Sequence, residues 1–429
     1  RSRRAAAPGA GPSSGRGSQD RGLRPGGPGE EAHDCRWELC ARERTSGRRA
    51  RGGGNRYTTT DTAAGTPMAI QSGRSAIVDL IKVCCYSWPL CTLALVAGEA
   101  CLLAVIIKKV AFNDIDYSTY LEQAALVKSG VRDYAKVEGA QGPLVYPAGH
   151  VWLYAAVGAW ADGSVIFAQR LFAALYVLDQ LVVARIYAGA LSPRRFPPVL
   201  LALLATSKRA HSVFALRLFN DGPNALLCHL AVLLLMRGDD VAACVVYSIA
   251  VSIKMSALLY APAVYLVLAA RRGHRGAWLR VGVCALVQVV AGWPFLTTHP
   301  VSYLANAFNF GRGFKHAWSV NFKWVPCAPL APEFATALAD CDGIFSSTGF
   351  KVSTLAVHLA VLLALADRRW LSRRGGFLAF MRDPTKRGGF SAGAVARLTL
   401  GCNFVGVACA RSLHFQFRVW YANAVPLLL

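Results

Sequence analysis

Asp114 and Asp116 stand two residues apart in the run Asn113-Asp114-Ile115-Asp116-Tyr117, just after an apolar stretch. Two carboxylates so placed beside a membrane surface can supply a general base or share a divalent cation. They can equally open a solvated loop, with Asn113 or Asp114 capping a short helix that runs through Leu126. Next, Gln141-Gly142-Pro143-Leu144-Val145-Tyr146-Pro147-Ala148-Gly149 fixes an extended approach to a second apolar stretch and holds Tyr146 at its edge, the plainer reading being a structural turn. Lys208-Arg209-Ala210-His211-Ser212 and Arg217-Leu218-Phe219-Asn220-Asp221 put polar groups between apolar segments. There His211, Arg217, Asn220 and Asp221 line a phosphate or sugar pocket, or form a connecting loop with Arg217 and Asp221 paired one helical turn apart. Lys254 lies amid Ile249–Leu259 with no acid near it in sequence; it is expected to pair with Asp179 or Glu99, or to bind an anionic substrate. Finally, Arg411-Ser412-Leu413-His414-Phe415-Gln416-Phe417-Arg418-Val419-Trp420-Tyr421 sets Arg411, His414 and Gln416 among aromatic residues. That suits sugar and phosphate recognition, and also an aromatic belt with basic anchors.

The elements that must position these groups are membrane spans. Of 429 residues, 54% are hydrophobic and 17% charged, against roughly 25% charged in soluble domains. Mean hydropathy is +0.35. Apolar stretches, most of them near the roughly 20 residues that a span needs, begin with Trp88–Ile107 and continue through Leu144–Trp160, Leu171–Ala188, Phe196–Ser207 (too short unless it continues through Phe214) and Gly222–Met236. Val241–Ala270, Ala277–Leu296, Phe350–Ala366, Ala394–Ala410 and Phe417–Leu429 complete the series. The expectation is an all-α polytopic membrane protein of about ten transmembrane helices over 75–429. No cleavable signal is apparent, and the first apolar stretch reads as a signal anchor.

The net charge of +23 invites a nucleic-acid reading, which its distribution answers. Residues 1–74 hold 14 Arg, no Lys and 7 acidic residues in a Gly-, Pro- and Ser-rich context, and are expected to be a disordered basic leader. Translated upstream sequence, a targeting extension and an RNA-binding arm are its readings. The other bases concentrate in Arg271, Arg272, Arg275 and Arg280, then in Arg368, Arg369, Arg373, Arg374, Arg382, Lys386 and Arg387. The stretch 111–143 is net negative and 297–349 is balanced. Such alternation follows the positive-inside rule; no nucleic-acid partner is expected for the body. Cys327 and Cys341 share the balanced loop and can pair in an oxidising compartment. The remaining cysteines lack zinc-site spacing, and no Asn-x-Ser/Thr sequon is present.

The motifs above, with Ser252-Ile253-Lys254-Met255, Ser319-Val320-Asn321-Phe322-Lys323-Trp324 and Trp420-Tyr421, closely resemble one family in order from about Trp88 to Pro426. It is the dolichyl-phosphate-mannose-dependent alpha-1,3-mannosyltransferases of the endoplasmic reticulum, multi-spanning GT-C glycosyltransferases of asparagine-linked glycosylation. The resemblance implies inverting transfer of mannose from dolichyl phosphate mannose to the lipid-linked five-mannose oligosaccharide, in a multi-pass protein of the endoplasmic reticulum membrane with a luminal site. It implies Asp116 as base with Asp114 as alternative or helper. Arg411, His414, His211, Arg217 and Lys254 become candidates for the phosphate and cavity, Asn220, Asp221, Gln416 and Tyr146 for substrate, and no metal cofactor is expected. Tyr117 replaces a common Trp. The family continues past Pro426, so a shortened C-terminus is expected, and 1–67 has no counterpart. Another lipid-linked glycosyltransferase and a polytopic transporter are the alternatives; no inverted repeat is visible in support of the transporter.

Overall fold

Serine hydroxyls set where several long helices begin. Ser87, Ser164, Ser347 and Ser391 each accept the backbone N–H three residues on, satisfying donors left open at a helix N-terminus. An apolar run follows each cap. The computed structural model describes residues 68–192, 196–311, 315–329 and 341–429. The leader expected over 1–74 lies outside them up to residue 67, and from Met68 the chain is helical; Arg194, Arg195 and Arg312 also lie outside.

In chain order the helices are α1 (Met68–Tyr86), α2 (Trp88–Lys109), α3 (Tyr117–Lys128), α4 (Ala148–Ala161), α5 (Val165–Ala190) and α6 (Lys208–His211). Then come α7 (Asp221–Arg237), α8 (Asp240–Ile253), α9 (Ala261–Leu296), α10 (Pro300–Ala307), α11 (Thr348–Leu365) and α12 (Gly376–Arg382). The last are α13 (Ala392–Cys409), α14 (Val419–Ala422) and α15 (Val425–Leu428). Two small antiparallel pairs lie outside the helices, β1 (Glu138–Gly139) with β2 (Gly142–Pro143), and β3 (Ala328–Pro329) with β4 (Cys341–Asp342). The second pair is held by the Cys327–Cys341 disulfide.

Five helical stretches are long and apolar enough to cross a membrane: Trp88–Lys109, Val165–Ala190, Met255–Leu296, Thr348–Trp370 and Ala392–Cys409. A sixth is reached if Pro198–Thr206 and Lys208–Leu216, bent by 58°, count together. The expected ten are not reached by this measure, because several apolar stretches are interrupted. Leu144–Trp160 yields the 14-residue α4 and Gly222–Met236 the 17-residue α7. Val241–Ala270 breaks at Lys254, which is extended (φ −154°, ψ 122°), leaving α8 with 14 residues. At about 1.5 Å per residue these fall short of the roughly 30 Å hydrocarbon layer.

Gly273 (φ 69°, ψ 174°) breaks α9, and the chain reverses there. Arg271 and Arg272 reach back to Asp240 at the start of α8, at 2.6 and 3.0 Å. Beyond the break, Gln288 Nε2 donates to Ser248 Oγ (2.8 Å) and the Ser248 hydroxyl to the Cys284 carbonyl (2.7 Å). Asp240 thus supplies the acid that is missing near this basic cluster in sequence. His274 Nε2 meets the Met381 carbonyl at 2.8 Å, so both basic clusters share one end of the helix layer. At the other end, Asp133 on the first loop accepts from the Ser302 hydroxyl (2.6 Å).

Central α7 packs against α5, α8 and α13. One core follows these helices, and an aromatic second core joins α3, α4 and residues 213–219 to Phe295 and Tyr303. Phe308 packs against both. Close approach of α4 to α8 depends on Gly149, since a Cβ there would lie 2.9 Å from the Ser252 carbonyl carbon. Gly149→Ala is expected to cost about 1–3 kcal/mol through overpacking and to lower the thermal unfolding midpoint in detergent, with partial recovery in Gly149→Ala/Ser252→Gly; an unchanged midpoint in the single variant contradicts this packing.

Candidate functional site

The α8 break leaves Lys254 with an exposure of only 6%. Its Nζ donates to Asp221 Oδ1 (2.8 Å) and Asn220 Oδ1 (3.0 Å). It also lies 4.9 Å from the Phe417 ring centroid, 5.3 Å from that of Trp420 and 5.7 Å from that of Tyr146. Asp221, fully buried, additionally accepts from Trp420 Nε1. An ammonium has three donors, and among the described residues two are engaged. A buried charge demands such pairing.

Local backbone geometry delivers Asn220 and Asp221 to Lys254. Ser212–Leu216 forms a wide π-type turn, after which Leu218 adopts the left-handed conformation (φ 56°), costly for a branched residue. The Tyr154 hydroxyl donates to the Leu218 carbonyl at 2.6 Å and holds this bend. Asn220 Nδ2 meets His150 Nδ1 at 3.1 Å, and His150 stacks on Tyr146 with centroids 4.4 Å apart. His150 Nε2 and Asp221 Oδ2 are buried with no protein partner, so the site keeps polar capacity that a ligand can use.

The carboxylate side adjoins this cluster. Tyr120 OH donates to Asp116 Oδ2 (3.2 Å) and lies 3.5 Å from Tyr146 OH. Burial pushes the Tyr120 hydroxyl well above its ordinary range, with Tyr146 and Asp116 adding to the effect, so it remains a donor. Asp116 and Lys254 are therefore linked through Tyr120 and Tyr146. Asp114 is engaged differently. Its Oδ1 accepts from the Tyr117 N–H at 3.0 Å, and the carboxylate caps α3.

Other candidates fall elsewhere. His211 Nε2 is 2.7 Å from Glu99 Oε2, and the Tyr176 hydroxyl donates to Glu99 Oε1 (2.9 Å). Asp179 meets His229 at 2.6 Å. Both acids expected to pair with Lys254 thus hold histidines, and its partner is Asp221. The anticipated Arg217–Asp221 pair is absent among the described residues; Arg217 is half-buried, within electrostatic reach of His414. His414 bridges to Ser319 and its Nδ1 accepts the Gln416 N–H at 3.3 Å. Burial holds its imidazole below the ordinary range, Arg209, Lys254 and Arg217 push the same way, and Asp221 opposes. Arg411 donates to the Phe345 carbonyl (3.1 Å). The sequence reading missed Trp420 as an Asp221 donor, and His150 and Tyr120; a histidine four residues after Tyr146 on an apolar helix was the available signal. Among the described residues one metal-like group occurs, His316 with Cys327 and Cys341, whose two sulfurs are already joined.

A family profile described as ALG3 protein matches residues 93–429. A relative from Arabidopsis thaliana is 39% identical over 352 residues, covering 78% of this chain and 76% of its own. One from Homo sapiens is 36% identical over 347 residues (78% and 75%), and one from Neurospora crassa 36% over 378 residues (84% and 79%). All three are described as Dol-P-Man:Man(5)GlcNAc(2)-PP-Dol alpha-1,3-mannosyltransferase. No solved structure matches the chain.

Removing one partner of a buried pair strands the other. Asp221→Asn is expected to lower stability by about 3–5 kcal/mol. The double variant Asp221→Asn/Lys254→Met should lose less than Asp221→Asn alone, as read by thermal unfolding in detergent. Additive losses would contradict the pairing.

Proposed function

The chain belongs to the ALG3 protein family, and from that premise we propose that it transfers mannose from dolichyl phosphate mannose to the lipid-linked five-mannose oligosaccharide, forming an alpha-1,3 bond with inversion. The reading rests on one observation above the rest: a carboxylate, Asp116, and a buried ammonium, Lys254, joined through two tyrosines. Relatives whose names state this reaction support it.

Inversion of a beta-linked mannosyl phosphate needs the acceptor hydroxyl to attack C1 opposite the leaving group. Asp116 takes the proton of that hydroxyl as the new C1–O bond forms. Tyr120 holds one carboxylate oxygen and so orients the base. The C1–O bond to phosphate breaks, and dolichyl phosphate leaves with the bonding pair. Lys254 receives the developing phosphate charge with its remaining donor, while Asp221 and Asn220 fix the ammonium in place. The metal-free reading assigns this charge stabilisation to side chains.

The lipid part of the donor fits a second feature. A groove of about 640 Å³ runs between α4, α7, α8 and the second half of α9, walled by Trp152, Leu226, Ile249 and Val290, and reaches Gly149 and Ser252 beside the site. A polyprenyl chain in that groove would present its phosphate to Lys254. The basic clusters at the opposite end support a cytosolic side there by the positive-inside rule, and with it a luminal side at Asp116.

Expressed in cells lacking their own alpha-1,3-mannosyltransferase, the chain should convert the five-mannose lipid-linked oligosaccharide to the six-mannose form. Asp116→Asn should lower transfer on the order of 10²–10⁴-fold, as loss of a general base does, leaving the five-mannose species to accumulate. Full rescue by Asp116→Asn would overturn its assignment as base.

A further inference from the structure

Above Lys254, aromatic side chains continue outward in an unbroken series. Phe417 stacks on Trp420 (centroids 4.2 Å apart, planes at 21°), His414 lies 6.0 Å from Phe417, and Trp318 lies 5.6 Å from His414 at 37°. The inner members are covered by protein. The outermost, Trp318, is 58% exposed.

Trp318 does not stand on a loose loop. Val320 N–H donates to the Leu413 carbonyl (2.7 Å), and Ser319 forms a bridge with His414. The Asn321 carboxamide donates to the carbonyls of Val407 (2.8 Å), Ala410 (3.0 Å) and Ala408 (3.2 Å), closing the open C-terminal end of α13. An indole left exposed on a backbone so firmly held costs apolar hydration, and rigid aromatic surface beside a polar site is what recognition of an amphipathic ligand uses.

We propose that Trp318 is the platform for the acceptor glycan: its ring packs against the carbon-hydrogen face of a mannose residue and holds the growing arm at the exposed end of the aromatic series that leads through His414 and Phe417 to Lys254. The proposal deepens the reading given above and rests on it for the identity of the sugar. A pyranose suits this surface because one face carries C–H groups while its edge carries hydroxyls, which polar groups beside Trp318 such as His414 can meet. The polyprenyl chain of the donor has a separate place, the groove walled by Trp152, Leu226, Ile249 and Val290. Trp324, 79% exposed, packs on Phe322 instead (6.3 Å) and serves as control.

Two readouts on the full chain in detergent separate this claim from the transferase reading. The first is binding of the soluble five-mannose glycan, without lipid or pyrophosphate, by saturation-transfer NMR. The second is transfer from dolichyl phosphate mannose, with KM for donor and acceptor measured separately. Trp318→Ala should weaken glycan binding and raise acceptor KM about tenfold, the scale of a lost stacking contact of about 1.4 kcal/mol. Donor KM should stay unchanged, Trp318→Tyr should remain within about threefold of wild type, and Trp324→Ala should match wild type. Unchanged glycan affinity in Trp318→Ala, or a parallel rise in both KM values, would overturn the platform. Wild-type chain that binds the glycan through Trp318 but transfers no mannose would sink the transferase reading while supporting the platform. Because Trp318 is exposed, its variants should keep the wild-type unfolding midpoint; should Trp318→Ala fail to fold, Trp318→Leu decides the same question through glycan affinity.

Discussion

The Lys254–Asp221 pair organises this protein. An ammonium in an apolar setting is tolerated only with a counter-charge and satisfied donors, and here three separated pieces of chain meet that demand. The break after α8 supplies the lysine, the strained turn at Leu218 and the start of α7 supply Asn220 and Asp221, and the segment after α13 supplies Phe417 and Trp420. None of these pieces could move far without stranding a charge. The same constraint fixes the polar floor of the site beneath the place where Asp116 and Tyr120 stand.

Much of this is legible because membrane physics writes plainly in sequence. Apolar runs announce helices, and segregated bases announce that the 271–280 and 367–387 clusters share an end, as the His274–Met381 contact demonstrates. Asp116, Tyr146, Asn220, Asp221 and Lys254 are among the candidates picked out by type and position, and the structure brings these five together. Pairing is the part that cannot be read. Sequence matches Lys254 with acids at similar depth, whereas its partner is 33 residues back in chain. Distance along the chain says nothing about which of several buried acids meets which base; Glu99 and Asp179 are each taken by a histidine at hydrogen-bond length. Asp114 is expected either to cap a helix or to share the chemistry with Asp116, and the structure shows the cap, since Asp114 precedes Tyr117 by the three residues that a cap of this kind spans.

The count of long spans falls below the expected ten for a related reason. A hydropathy stretch does not register a break such as Lys254, where one apolar run becomes two shorter helices. That break is not incidental. Irregular backbone at membrane depth is tolerated where it lines a protein cavity, and the α8 break is where the candidate site lies. The excess of positive charge divides in the same spirit: much of it belongs to the two clusters at one end and to a leader outside the described residues, while few cations adjoin the site.

In the mechanism proposed, phosphate departs at Lys254 while Asp116 receives the acceptor proton, and a structure of the chain bound to dolichyl phosphate and the five-mannose acceptor tests both halves at once. A phosphate oxygen should lie within hydrogen-bond distance of Lys254 Nζ, about 2.7–3.2 Å, with the accepting mannose hydroxyl against Asp116. A phosphate seated away from Lys254, with that ammonium still engaged by Asn220 and Asp221 alone, would refute the mechanism.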